Sequence, residues 1–221
     1  MLLLVLAKAP HAGQVKTRLC PPADPMLAAR IAAAALLDTM DAVRAVPDGR
    51  PVLALSGDLA GAECADEILD AVRGIPVISQ RGTSLGERIA AGHADAAVFA
   101  PGSPILQIGM DTPQVTAELL HRCHRTLTTP GTDAVLGPAD DGGWWALGLR
   151  DPRDACCIRT VPTSRGDTGA RTARELREYG LQVAGVPGLS DVDTAADAHR
   201  VAAETSGTRF AAAVAELTWV R

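Results

Sequence analysis

The chain has 221 residues, 47% hydrophobic and 3% aromatic, with a formal net charge of -5. This composition fits one globular domain over residues 1–221 with a core of Ala, Leu, Val and Ile, and the acidic balance argues against nucleic acid as a partner, since that needs a basic face. Five cysteines with no CxxC spacing argue against both a structural zinc site and a disulfide scaffold, and point to a reducing cytoplasm.

Leu2–Ala7 is a continuous apolar run, the pattern of a strand buried on both faces. The opening "MLLLVLAK" is too short for a signal peptide and lacks its basic start. The longest apolar stretch, Ile31–Leu37, falls far below the roughly 20 residues of a membrane span, so no membrane partner is expected. After the loop Ala7–Leu19, Asp24 and Pro25 predict the start of a helix that continues to Val46. Pro51–Ser56 and Ile75–Ser79 read as strands, with a short helix over 67–73 between them. Ser84 and Glu87 form a capping-box pattern that opens a helix to Ala97. Pro104–Gly109 is a further buried strand, and a helix begins at Thr116. Asp133–Gly137 and Trp144–Leu149 are strands on either side of "PADDGG". A helix over 167–180, a strand over 181–186 and a last helix capped by Thr194 and Asp197 complete the series. The alternation predicts an α/β fold with a mostly parallel sheet, mixed towards one edge.

Ligands of open α/β sheets bind beyond the carboxyl ends of the strands. The polar residues that come after each predicted strand divide by sign. Lys8, Lys16 and Arg18 come after the first, and Asp111, Asp140, Asp141, Asp191 and Asp193 after later ones. A phosphorylated ligand held with a divalent cation needs that division. Each feature alone stays open. The loop with Gly13 suits a phosphate about as well as it suits solvent. It is neither GxxxxGK[ST] nor GxGxxG. Asp111 before Thr-Pro suits Mg²⁺ or Mn²⁺, or a turn cap. Asp140 and Asp141 are adjacent like charges, which a turn needs less than Gly142 and Gly143. Asp191 and Asp193 share a face of an extended segment, yet Asp193 or Thr194 also fits as a helix cap. His121 and His124 lack a third ligand, and no GxSxG supports a covalent hydrolase.

Taken in order, "AKAPHAGQVKTRL", "SQRGTSLGERI", "IGMDTP", "GPADDGGWWALGL" and "LSDVDTAAD" span nearly the whole chain. Together they resemble the bacterial glycosyltransferase-like family of radical-SAM/selenodomain-associated transferases, in the GT-A nucleotide-diphospho-sugar transferase superfamily. The resemblance implies a single-domain GT-A fold, Rossmann-like, with helices flanking a mixed sheet. It implies a nucleotide wrapped by the first loop, through Ala7, Lys8, Pro10, Gly13, Lys16, Thr17 and Arg18, with Arg81, Gly86 and Arg88 nearby. It implies Asp111 and Asp193 as ligands of Mg²⁺ or Mn²⁺, and Gly142, Gly143 and Trp144 on the substrate side. Asp140 or Asp141 is the candidate base. Departures fall at Met110, at Trp144–Trp145 and over 155–167, the segment expected to face the acceptor.

The expected function is metal-dependent transfer from a nucleotide-activated donor, with a nucleotide sugar and a small-molecule acceptor as partners. A nucleotidyltransferase that releases pyrophosphate needs the same loop and metal aspartate. A catalytically silent nucleotide-binding module is the alternative from another class.

Overall fold

The structure is a computed structural model, and it describes residues 1–217. Seven strands form one sheet: β1 (Leu2–Lys8), β2 (Arg50–Ser56), β3 (Val77–Ser79), β4 (Ile105–Gly109), β5 (Ala134–Pro138), β6 (Trp144–Leu149) and β7 (Val183–Gly185). Their order is β3-β2-β1-β4-β6-β5-β7. Strand β6 is antiparallel to β4 and β5, and the other pairings are parallel. The reversed strand is therefore interior, where the sequence suggested mixing at an edge. Its reversal is what matters for the site. Ala146 pairs with Ile108 and Trp144 with Pro138, so β6 begins where β4 and β5 end.

The helices are α1 (Pro25–Arg44), α2 (Ala65–Ala71), α3 (Leu85–Ala97), α4 (Ala117–Thr128), α5 (Thr168–Glu178), α6 (Ala195–Glu204) and α7 (Arg209–Val214). Thr17–Leu19 and Pro152–Ile158 are 3-10 turns, and these, with α7, were not evident from the sequence. The sequence-expected caps form. Asp24 Oδ1 accepts from the Leu27 amide at 2.7 Å, and Ser84–Glu87 and Thr194–Asp197 both close capping boxes. Among the described residues no helix is long and apolar enough to cross a membrane.

Strand β1 is apolar throughout because both of its faces are covered. Leu3, Val5 and Ala7 pack into a layer with α1, α2 and α4, while Leu2, Leu4 and Leu6 pack on the α3 and α5 side. Helix α1 is itself buried on two sides. Ala29, Ala32, Ala33, Leu36 and Met40 face the sheet, and Leu27, Ala28, Ile31, Ala34 and Ala35 face α6 and α7. That sandwich explains its alanines: a helix covered on opposite faces is apolar nearly all round, and small side chains let both layers approach. The same outer layer buries Val192, which draws the segment before α6 onto the carboxyl end of the sheet.

Candidate active site at the carboxyl edge of the sheet

A cleft of about 760 Å³ opens at the carboxyl ends of β1, β2 and β4 and the start of β6. Lys8, Lys16 and Arg18 line it from the first loop, Arg88 from α3, Asp111 from the end of β4, Asp141 and Trp144 from the β5–β6 turn, and Asp191 and Asp193 from the segment before α6.

Lys16 stands at the centre of the charges. Its backbone is left-handed, with φ 46°, at the start of the 3-10 turn, a conformation uncommon for residues other than glycine. Its Nζ donates to Asp111 Oδ2 and to Asp193 Oδ1, each at 3.3 Å. Burial of the ammonium pushes its pKa down, but Asp111 and Asp193 outweigh this and hold it above the ordinary lysine value. Arg18 reaches the other oxygen of Asp193 at 3.0 Å. The two carboxylates are also tied through the backbone, because the Val192 amide donates to the Asp111 carbonyl at 3.0 Å.

Two further carboxylates, Asp141 and Asp191, line the cleft together with Arg165. Burial, then the charges of Asp141, Asp193 and Asp111, push the Asp191 carboxyl up to about 6. Asp191 is thus a site residue that the resemblance did not supply. Its traces in the sequence were its place after the last strand and the spacing of two from Asp193. Asp141 Oδ1 accepts from the Gly143 amide at 2.7 Å, which aims the carboxylate across its own turn. Gly142 has φ +84° and packs its α-carbon against the Gly166 carbonyl, so this turn and the 162–167 segment fix each other. Trp144 Nε1 donates to Thr172 Oγ1 at 3.2 Å, while Trp145 is buried, with Nε1 donating to the Pro187 carbonyl at 2.8 Å.

Other sequence candidates are placed elsewhere. Asp140 accepts from the Ser190 hydroxyl and does not line the cleft. Arg81 is held by Asp95, with Nε to Oδ2 at 3.0 Å and an NH2 to Oδ1 at 2.6 Å, and also lies outside the lining. A β-carbon on Gly86 would come within 2.6 Å of the Arg159 carbonyl, so this glycine serves the packing of α3 on the 152–158 turn. Pro10 and Gly13 shape the loop from outside the lining. The Pro10 carbonyl accepts from the Glu63 amide, and Gly13 turns at φ +74°. Ala7 and Thr17 do line the cleft. Gln80, a polar residue after the third strand, lines it too and donates to the carbonyls of Ala7 and Ala54, tying the ends of β1 and β2 together. Cys20 lies just beyond the loop, where burial and Asp24 raise its pKa and keep it a thiol.

The Asp111 and Asp193 carboxylates offer oxygens, the donors a hard cation prefers. The Thr112 hydroxyl beside Asp111 is buried in the cleft wall without a protein partner, which suits a metal-bound water. Among the described residues no three His, Cys, Asp or Glu side chains converge at ligand spacing. Mg²⁺ commonly takes one or two carboxylates and completes its shell with water and substrate phosphate, so Asp111 and Asp193 suffice as protein ligands.

The DUF2064 family, whose description is "uncharacterized protein conserved in bacteria", matches residues 39–165. Among solved structures, a candidate nucleotide-diphospho-sugar transferase from Desulfovibrio desulfuricans G20 aligns with a TM-score of 0.82 at 24% identity, covering 97% of this chain and 94% of that one. The 4-diphosphocytidyl-2C-methyl-D-erythritol synthase from Anaerococcus prevotii DSM 20548 aligns at 0.58 and 12% identity, covering 98% of each chain. A cytidylyltransferase from Leptospira borgpetersenii serovar Hardjo-bovis aligns at 0.57 and 11% identity, covering 96% of this chain and 91% of that one. These likenesses establish a shared fold.

Proposed function

Because the chain belongs to the DUF2064 family, we propose for it a function carried by its own cleft: metal-dependent transfer from a nucleotide-activated donor, with a nucleotide sugar as donor and a small hydroxyl compound as acceptor. The observation that carries this reading is Lys16, held 3.3 Å from both Asp111 and Asp193 at the carboxyl edge of the sheet. A buried cation and two carboxylates at that edge suit a diphosphate together with Mg²⁺ or Mn²⁺. Asp111 and Asp193 would hold the metal, which when bound supplies positive charge to the diphosphate.

The chain's own residues then divide the work. Lys8, Lys16, Arg18 and Arg88 face the diphosphate and stabilise the negative charge that grows on it as the bond to the sugar breaks. Asp141 and Asp191 both line the cleft, close enough for the charge of Asp141 to act on Asp191. Of the two adjacent aspartates, Asp141 is the one in the cleft and the candidate to accept the acceptor's proton. What supports glycosyl transfer as the first reading is the resemblance of the motifs to the radical-SAM/selenodomain-associated transferases.

Nucleotidyl transfer is the second reading, favoured by the fold shared with cytidylyltransferases. Product analysis separates the two. Incubation with nucleotide sugars, Mn²⁺ and an acceptor panel is expected to release nucleoside diphosphate. Pyrophosphate released from a nucleoside triphosphate would establish the second reading instead. Binding of nucleotide with no turnover of either kind would mark a silent binding module.

A further inference from the structure

Lys16 has more protein around it than a phosphate-binding lysine waiting in solvent would have. Its side chain is 13% exposed, against 41% for Asp111 and 36% for Asp193. The loop that carries it is anchored along its length. The Lys8 ammonium donates to the Gln14 carbonyl at 2.7 Å, the Glu63 amide to the Pro10 carbonyl at 3.0 Å, and the Leu19 amide to the Lys16 carbonyl at 2.9 Å. The segments that carry the two carboxylates are joined by the Val192–Asp111 backbone bond. The ammonium therefore bridges two pre-positioned oxygens, the same two assigned above to the divalent cation.

We propose that Lys16 is a built-in stand-in for the metal: it occupies the Asp111–Asp193 pair until an anion in the cleft draws it away, so that the divalent cation enters with the nucleotide and not before it. The inference rests on the reading that Asp111 and Asp193 are the metal ligands. The physical basis is competition for one pair of oxygens. A divalent ion bound to both would have the ammonium as its immediate neighbour, and like charges at contact distance inside a partly buried cleft repel strongly. The phosphates of an arriving nucleotide reverse that balance by giving the ammonium a new partner. Arg18 does not block the exchange, because it grips Asp193 from outside with its side chain 72% exposed.

The test uses Mn²⁺ alone, with the full chain and no nucleotide, and reads the loss of the free-ion signal in electron paramagnetic resonance. K16M and K16Q are expected to bind Mn²⁺ at least tenfold more tightly than wild type. K16R, which keeps a cation in place, is expected to bind as weakly as wild type. D111N added to K16M is expected to abolish the gain. Thermal unfolding with and without Mn²⁺ verifies that each variant is folded, and the melting temperature of K16M should rise more on adding Mn²⁺ than that of wild type. If wild type and K16M bind Mn²⁺ equally tightly and both lose it on D111N, the stand-in role is overturned while the metal assignment survives. If a gain in K16M persists after D111N, the competition is not at this pair and the proposal is likewise overturned. If no form binds Mn²⁺ even with nucleotide present, the metal assignment fails and takes the proposal with it.

Discussion

The carboxylate of Asp111 lies back over Gly109, so closely that a β-carbon on Gly109 would overlap Asp111 Oδ1. The end of β4 thus holds its aspartate in place by leaving a side chain out. G109A is expected to turn the Asp111 carboxylate aside and weaken Mn²⁺-dependent nucleotide binding by about tenfold. Stability should change by only about 1 kcal/mol, since a short side chain is the part that gives way. Calorimetry and thermal melts on the same variant check both halves, and wild-type affinity in G109A would contradict the constraint.

Removing charge from the pair should act more strongly. D111N is expected to abolish the metal dependence of nucleotide binding, because it leaves Asp193 as the one anionic partner of Lys16. An unchanged calorimetric affinity in Mn²⁺ would refute the assignment of Asp111.

Lys16→Ala with Arg18→Ala removes both cations that reach Asp193. Nucleotide affinity should fall by about 2–5 kcal/mol, the loss of two charge-assisted contacts. Equal binding by the double variant would move the phosphates away from this loop.

His93 offers a test of the fold beneath the site. It is fully buried, with Nε2 3.1 Å from Gln107 Oε1, and burial pushes its pKa down to about 4 against the opposing pull of the Gln107 bond. An unfolded histidine titrates near 6.5. Below that pH the unfolded chain takes up a proton that the native chain refuses, so this contribution to stability is complete above about pH 6.5 and is lost as pH falls towards 4. The loss amounts to at most about 3 kcal/mol. His93→Gln should flatten the slope over that window in urea melts at pH 7 and pH 4.5. A slope that survives the substitution would assign it to other groups.

Gly142 tests the turn that carries Asp141. With φ +84° and the Gly166 carbonyl against its α-carbon, it has no room for a methyl group. G142A is expected to lose about 1–3 kcal/mol of stability and most transferase activity. Full activity in a folded G142A would remove Asp141 from its proposed role.

Much of this arrangement was legible in the sequence because it is local. The run Leu2–Ala7 reports a strand covered on both faces, and Asp24-Pro25 and Ser84-x-x-Glu87 report helix starts through bonds made within one turn. The sign division between Lys16 and the late aspartates was legible once the strands were placed, since the loops that leave parallel strands gather at one edge of the sheet. The illegible parts depend on partners far apart in the chain. Nothing in the spacing of Arg81 and Asp95 announces a pair that keeps Arg81 out of the cleft. Gly86 was expected near the nucleotide, and only the Ile158 and Arg159 carbonyls against it reveal its packing role. The interior position of β6 comes from its pairing with β4, which strand content alone does not specify.

Lys16 and its carboxylate partner Asp193 come from distant parts of the polypeptide, 177 positions apart. The segment holding Asp191 and Asp193 is pinned by Val192, which is buried with the last two helices against the outer face of α1. A growing chain therefore makes Lys16 and Asp111 well before Asp193. Until α6 and α7 settle on α1, the loop lacks its Asp193 partner and the cleft is unfinished. The finished cleft is in this way conferred by the layer farthest from the sheet.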